Sequence, residues 1–352
     1  MTRIAINGFG RIGRVFFRCA FGQSDIEIVA INDLGAAENM AYLLKYDSVY
    51  GPYEKSVESG PEVLIVDGKE IKMMRQKDPA LLPWGDLNID IVIESTGVFE
   101  TYEKSAAHLT AGAKRVIIAA PAKDDATPTA TPNVGEEFLK LNKITSAASC
   151  TTNAATPIMS ALSKNPGIKK AVLNTVHAYT ASQKVIDGSD NNNDYRKNRA
   201  AAQNIIPSTT GAALTATKVF PPLEGKFDGV SLRVPVICGS IIDFTFVAER
   251  PTSVEEINNI LKKAAQEKQW QEILAVTEEQ LVSSDILKNP NGSIVDLNMT
   301  KVVDGDLVKI LSWYDNEWGY ANRLVEQVIR VGRTLEGGIA PTDPLTLSHT
   351  NG

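Results

Sequence analysis

The chain is 352 residues long, 43% hydrophobic and 22% charged, a composition that supports two packed domains and excludes wholesale disorder. Its net charge of −6 argues against a general nucleic-acid or anionic-membrane binder. Three widely spaced cysteines, Cys19, Cys150 and Cys238, make no disulfide framework and point to reduced thiols and a cytoplasmic address.

A strand, RIAIN, begins at Arg3 and leaves no room for a signal peptide, and no apolar run approaches a membrane span. The strand leads into GFGRIGR, which sets Gly8, Gly10 and Gly13 in G-x-G-x-x-G spacing. The following stretch predicts a helix with Ile12, Val15, Phe16 and Cys19 on one face, so Cys19 reads as core. A second apolar strand, IEIVAIN, ends at Asp33, twenty residues beyond Gly13. Strand, glycines, helix and acid in that order form a dinucleotide-binding fingerprint of Rossmann type. Gly8 permits the tight turn, Gly10 the approach of backbone N–H groups to a pyrophosphate, and Gly13 close helix packing. The helix N-terminus supplies donors and positive dipole. The Asp33 carboxylate suits the adenosine ribose hydroxyls and repels a 2′-phosphate, which favours NAD over NADP.

Further along, IDIVIE closes on Ser95-Thr96-Gly97, at the edge where such sheets hold ligands. The helical run YEKSAAHLT carries His108, expected at the surface. With KRVIIAAP and NKITSA, these uniformly apolar strands predict a parallel sheet covered on both faces.

Lys143 to Ser146 form the last of those strands, and Ala155, Ile158, Met159 and Leu162 repeat at helical spacing. Cys150, in SAASCTTN, therefore sits at a strand-to-helix junction. A free thiol has a pKa near ~8.5, and a helix N-terminus with a nearby imidazolium is expected to lower it by roughly two units. Burial in a core remains the alternative, because cysteine is commonly buried. His177 ends the strand AVLNTV and opens a polar loop; on these grounds it is either a base or a satisfied core histidine. His349 lies in the tail. The segment DGSDNNNDYRKNR, 187–199, lacks the glycine and distal glutamate of an EF-hand and reads as a long functional loop, with no metal site. Asn291-Gly292-Ser293 reads as a turn.

KAVLNTVHAY, GVSLRVPV, IIDFTFVAE, GSIVDLNMT and DLVKILSWY predict a mainly antiparallel sheet, with one intervening helix starting at the capping box Ser253-x-x-Glu256. A last helix carries Ala321, Leu324, Val325 and Val328 on one face. The fold class is thus α/β: a Rossmann-type domain over 1–149, completed by a helix over 318–333, an α+β catalytic domain over 150–317, and an aperiodic tail over 334–352.

INGFGRIGR, SAASCTTN, HAYTASQ, IIPSTTGAA, SLRVPV and WYDNEWGYANR stand in the order and spacing of phosphorylating glyceraldehyde-3-phosphate dehydrogenases, and the chain resembles that family from Met1 to about Arg333. The resemblance implies oxidation of glyceraldehyde 3-phosphate to 1,3-bisphosphoglycerate with NAD, in glycolysis or gluconeogenesis, by a cytoplasmic homotetramer. It makes Cys150 the nucleophile that forms a thiohemiacetal and then a thioester, and His177 the base that activates it. Thr180 and Arg233 match the residues holding the substrate's C3 phosphate. Ser149, Thr151, Arg196, Thr210 and Gly211 match those around inorganic phosphate. Asn316 matches the holder of the nicotinamide carboxamide, Tyr320 an aromatic beside that ring, and Arg11 and Ile12 backbone contacts to the pyrophosphate. The loop from Tyr179 to about Ala202 matches a segment that packs on a neighbouring subunit.

Two departures matter. Ala154 stands where many members carry a second cysteine, which removes a disulfide with Cys150, and Ala119 stands where serine is common. The tail has no cysteine, so a thiol-switched extension is not supported. Erythrose-4-phosphate dehydrogenase is the neighbouring possibility; that family tends to carry Glu in place of Asp33 and lacks the threonine that is Thr180 here. A scaffold that merely keeps the fold is opposed by the joint presence of Cys150, His177, Arg196 and Arg233.

Overall fold

The computed structural model describes residues 1–189 and 194–336. His349, most of the tail, and the centre of the 187–199 loop lie outside the described residues. The described chain divides into two compact units, one of Met1–Ala148 with residues 321–336, the other of Ser149–Tyr320.

The first unit is built on β1 (Thr2–Asn7), α1 (Arg11–Ala20), β2 (Ile26–Asn32), α2 (Ala37–Lys45), β3 (Val57–Gly60), β4 (Val63–Val66) and β5 (Lys69–Met74). There follow β6 (Ile91–Glu94), α3 (Tyr102–Thr110), β7 (Arg115–Ile118), α4 (Glu136–Leu141) and β8 (Ile144–Ser146). The eight strands lie in the order β3-β4-β5-β2-β1-β6-β7-β8. From β5 to β8 every pairing is parallel. All four residues of β6 and of β7 are buried, as befits strands covered on both faces. The order reverses beside β1, with β2 on one side and β6 on the other. That switch point puts the chain after Asn7 and after Glu94 side by side, and it is where open α/β sheets bind ligands.

Two features differ from the sequence expectation. β3, β4 and β5 extend the sheet as antiparallel strands. Their signal was Asp67-Gly68, whose φ values of +48° and +76° make the tight hairpin turn between β4 and β5. His108, expected at the surface, is fully buried. The polar look of α3 concealed it: the Trp84 indole Nε1–H donates to its Nδ1 at 3.0 Å, and its Nε2 lies 3.0 Å from the Glu94 carboxylate.

The second unit holds α5 (Cys150–Leu162), β9 (Ile168–Ala178), β10 (Ile206–Thr209), α6 (Ala212–Val219), β11 (Phe227–Val234) and β12 (Ser240–Ala248). After these come α7 (Val254–Gln266), β13 (Leu274–Thr277), β14 (Ser293–Val303) and β15 (Leu307–Tyr314). Its sheet runs β10-β11-β9-β12-β15-β14-β13; only β9 with β11 and β13 with β14 pair in parallel. Along β9, Leu173, Thr175 and His177 are buried while Val172 is exposed and Asn174 and Val176 are half-buried, so helices cover one face of this sheet only. The Ser253 hydroxyl accepts the Glu256 N–H at 3.1 Å, the cap expected for α7. The last helix, α8 (Trp318–Glu336), runs past the expected end at 333, with Ala321, Leu324 and Val328 fully buried.

Candidate active site

In the first unit the glycine loop follows the geometry its spacing implies. Gly8 has φ +93°, and a β-carbon there would stand 2.7 Å from the Thr96 nitrogen. A β-carbon on Gly13 would stand 2.2 Å from the Gly8 carbonyl oxygen, so glycine alone lets α1 pack on the loop. A β-carbon on Gly10 would meet nothing within 4 Å: its open space is what the approach of a pyrophosphate requires. Gly10 caps α1 with no side-chain bond, so the N–H groups of Arg11 and Ile12 begin the helix. The Arg11 guanidinium is turned away, paired with Asp47 and set 5.1 Å over the Tyr50 ring.

The Asp33 carboxylate accepts the Phe9 N–H at 2.7 Å on one oxygen and the Gly35 N–H at 2.8 Å on the other. Each oxygen keeps a lone pair for a hydroxyl donor. Asp33, Gly8, Gly10, Ser95 and Thr96 line one cavity of about 760 Å³. The Ser95 hydroxyl lies 2.7 Å from the Gly8 carbonyl and anchors the loop. Beneath it runs a buried chain that sequence reasoning missed. Glu94 accepts the Thr96 N–H at 2.8 Å and the Asn7 amide at 2.6 Å, and Asn32 donates to Asn7 at 2.7 Å. A glutamate closing the apolar strand IDIVIE was its one signal. Gly loop, carboxylate and cavity together fit a dinucleotide such as NAD.

In the second unit Ser149 is the N-cap of α5, its hydroxyl accepting the Thr152 N–H at 3.0 Å, and Cys150 is the first helical residue. Asn153 donates to the Ser149 carbonyl at 2.9 Å and braces the turn. The Cys150 Sγ lies 3.4 Å from His177 Nε2. His177 Nδ1 stands 2.6 Å from the Ala178 carbonyl oxygen, which can only accept, and 2.7 Å from an Arg233 guanidinium nitrogen, which can only donate, so the two contacts compete for Nδ1. With the Nδ1 proton turned to Ala178, Nε2 carries the lone pair facing the thiol. Residues 27 positions apart meet because β9 ends beside the start of α5.

Arg233 is the register partner of His177 on β11. Its Nη1 lies 2.7 Å from Nδ1 and 3.2 Å from the Ala178 carbonyl. The Tyr314 hydroxyl bridges Thr151 at 2.9 Å and Thr175 at 2.8 Å, and its ring meets the His177 ring edge-on at 6.0 Å. Sequence reasoning missed Tyr314, whose only mark was its place in WYDNEWGY.

The electrostatics correct one expectation. Cys150 is part-buried as a residue, yet desolvation of its sulfur pushes the thiol up, outweighing the downward pull of Arg233 and of Thr151. Burial likewise pulls His177 down to about 3, helped by Arg233 and opposed by the Ala178 carbonyl. Charging either group alone takes a charge largely out of water. A proton passed from Sγ to Nε2 avoids that, because each new charge is matched by its opposite 3.4 Å away.

The other anion candidates are dispersed in their bonding. Thr180 Oγ1 lies 3.0 Å from the Ser182 hydroxyl. Thr210 accepts the Ala212 N–H at 3.1 Å, and Gly211 caps α6. Thr151 is buried against Tyr314, and the exposed Arg196 donates to Asp194 at 2.8 Å. Asn316 is buried, its Oδ1 accepting the Gly239 N–H at 3.0 Å and the Ser240 hydroxyl at 2.9 Å. Tyr320 is buried too, and desolvation pushes its phenol up. Asp315 accepts the N–H groups of Glu317 and Trp318 and so caps α8, which fixes the chain at Asn316.

Residues 2–102 match the family model for the glyceraldehyde 3-phosphate dehydrogenase NAD binding domain, and residues 149–316 that for its C-terminal domain. The chain is 47% identical to glyceraldehyde-3-phosphate dehydrogenase 2 of Streptomyces avermitilis over 335 residues, covering 95% of this chain and 99% of the relative. It is 44% identical to the glyceraldehyde-3-phosphate dehydrogenase of Zymomonas mobilis over 337 residues, at 95% and 99% coverage. The Borreliella burgdorferi glyceraldehyde-3-phosphate dehydrogenase is 47% identical over 331 residues, at 92% and 98%. With both domain models matched and near-complete coverage of such relatives, the chain belongs to the glyceraldehyde-3-phosphate dehydrogenase family.

Proposed function

We propose that this chain is an NAD-dependent phosphorylating glyceraldehyde-3-phosphate dehydrogenase. The observation that carries the reading is the Cys150–His177 pair at 3.4 Å with Arg233 beside it. Sγ attacks the aldehyde carbon while its proton passes to Nε2, and Nε2 returns that proton to the aldehyde oxygen, which gives a neutral thiohemiacetal. Nε2, again unprotonated, then takes the hydroxyl proton as the carbon gives up hydride and becomes a thioester. NAD, when bound, supplies the hydride acceptor. Its adenosine end is held by Asp33, with Gly8, Gly10, Arg11, Ile12, Gly13, Ser95 and Thr96 around the phosphates, and Asn316 and Tyr320 serve the nicotinamide. An inorganic phosphate oxygen attacks the thioester carbon, the C–S bond breaks, and the acyl phosphate 1,3-bisphosphoglycerate leaves.

Both substrates are anions. Thr180 and Arg233 hold the C3 phosphate; Ser149, Thr151, Arg196, Thr210 and Gly211 receive inorganic phosphate. The α5 and α6 N-termini, at Cys150 and Ala212, suit that second role.

The working form is a homotetramer. Supporting self-association, one face of the second unit's sheet presents Val172 at 52% and Val230 at 53% exposure, beside half-buried Ile241, Leu311 and Trp313. These apolar side chains share the face with Asn174, Asp243 and Lys309, and exposed apolar groups among polar ones suit a protein–protein interface. The cytoplasm, a reducing compartment, suits a chain with three free cysteines, one of them the nucleophile. No helix among the described residues is long and apolar enough to cross a membrane.

The test is NADH formation from glyceraldehyde 3-phosphate, NAD and phosphate, run with Cys150→Ala and His177→Asn. Cys150→Ala abolishes turnover, and His177→Asn lowers kcat by about 10²–10⁴. Equal rates in wild type and Cys150→Ala, or a clear preference for erythrose 4-phosphate, overturn the reading.

A further inference from the structure

We infer that Ser240 is a positioning residue for cofactor binding: it fixes the Asn316 amide so that this side chain can only donate to what it meets. The Asn316 Oδ1 faces the Gly239 N–H at 3.0 Å and the Ser240 hydroxyl at 2.9 Å. A backbone N–H cannot accept, so the amide atom opposite it is the oxygen and Nδ2 points the other way. Nδ2 makes no hydrogen bond to any of the described residues.

Ser240 is itself held. It is 1% exposed, and its oxygen accepts the Ala178 N–H at 3.1 Å, so the hydroxyl hydrogen is directed to Asn316. The Ala178 carbonyl, on the far side of that residue, is the partner of His177 Nδ1. One hydroxyl thus ties the amide at Asn316 to the main chain that orients the base. Gly239 has no substitute here: its φ is +92°, and a β-carbon would stand 2.4 Å from the Ser283 carbonyl. The Cys238 thiol lies 3.2 Å from Asp315 Oδ1 and, more distantly, 3.8 Å from Asn316 Oδ1, a weak third contact to the same amide oxygen.

The inference rests on Asn316 meeting the nicotinamide carboxamide, whose oxygen a fixed Nδ2–H donor would recognise. The experiment measures equilibrium affinities of the purified protein for NAD and for ADP-ribose, which lacks the nicotinamide. Ser240→Ala weakens NAD by about tenfold and changes ADP-ribose by less than about twofold. Ser240→Thr, which keeps the hydroxyl, recovers NAD affinity. In an Asn316→Ala background, adding Ser240→Ala causes no further loss. Equal losses for the two ligands, no loss, or multiplying losses in the double variant overturn the role of Ser240. If Asn316→Ala itself weakens both ligands alike, the placement of Asn316 fails and the inference with it.

Discussion

Arg233 and His177 face each other as register partners on neighbouring parallel strands, guanidinium Nη1 2.7 Å from imidazole Nδ1. A fixed cation at that place acts on both members of the reacting pair. It holds the Cys150 thiol below where burial alone would put it, and it pushes His177 further down.

The sign of an Arg233→Gln substitution follows. Without the cation the Cys150 thiol rises, so the pH at which alkylation by iodoacetamide reaches half its maximal rate moves upward. The same change removes a phosphate partner and raises KM for the aldehyde phosphate by about 10–100-fold, the scale of a lost charge-assisted contact. Stopped-flow alkylation across pH and steady-state kinetics read the two effects separately. A downward pH shift contradicts the assignment.

Gly10 and Gly13 are separable by their surroundings. Gly10→Ala meets open space, so thermal stability stays within about 0.5 kcal/mol of wild type while NAD affinity falls. Gly13→Ala forces a methyl to 2.2 Å from the Gly8 oxygen, and the backbone must move at a cost of about 2 kcal/mol or more. Denaturant unfolding beside NAD titration distinguishes them: two equally unstable variants contradict the geometry.

Asp33 is anchored by two backbone N–H groups, so it is a rigid acceptor. Asp33→Ala weakens NAD by about tenfold and removes the repulsion of a 2′-phosphate, which narrows the NAD-to-NADP preference. Binding titrations with both dinucleotides check this, and an unchanged ratio rules out the carboxylate as the selector.

His108→Ala deletes the partner of both the Trp84 indole and the Glu94 carboxylate, each buried. The expected loss is about 3 kcal/mol: the Trp84 N–H is left unpaired out of water, Glu94 keeps only its bonds from Asn7 and Thr96, and a buried ring is removed. Urea unfolding measures it, and a loss within about 0.5 kcal/mol shows that water or repacking satisfies the network.

The sequence by itself determined the elements whose signal is local. Uniformly apolar runs marked β1, β2 and β6, helical spacing marked α1 and α8, a capping box marked α7, and the spacing of Gly8, Gly10, Gly13 and Asp33 marked the dinucleotide loop, because these signals act between near neighbours. Cys150 at the head of a helix was legible for the same reason. The tertiary structure alone decided what acts across distance. Register on β9 and β11 put Arg233 on His177, and burial set the direction in which Cys150 and His177 shift. It also took His108 into the core and aimed the Asn316 amide through Ser240. Desolvation and hydrogen-bond partnership depend on which atoms surround a group, and residues 24 to 76 positions apart become neighbours only once the sheets have formed.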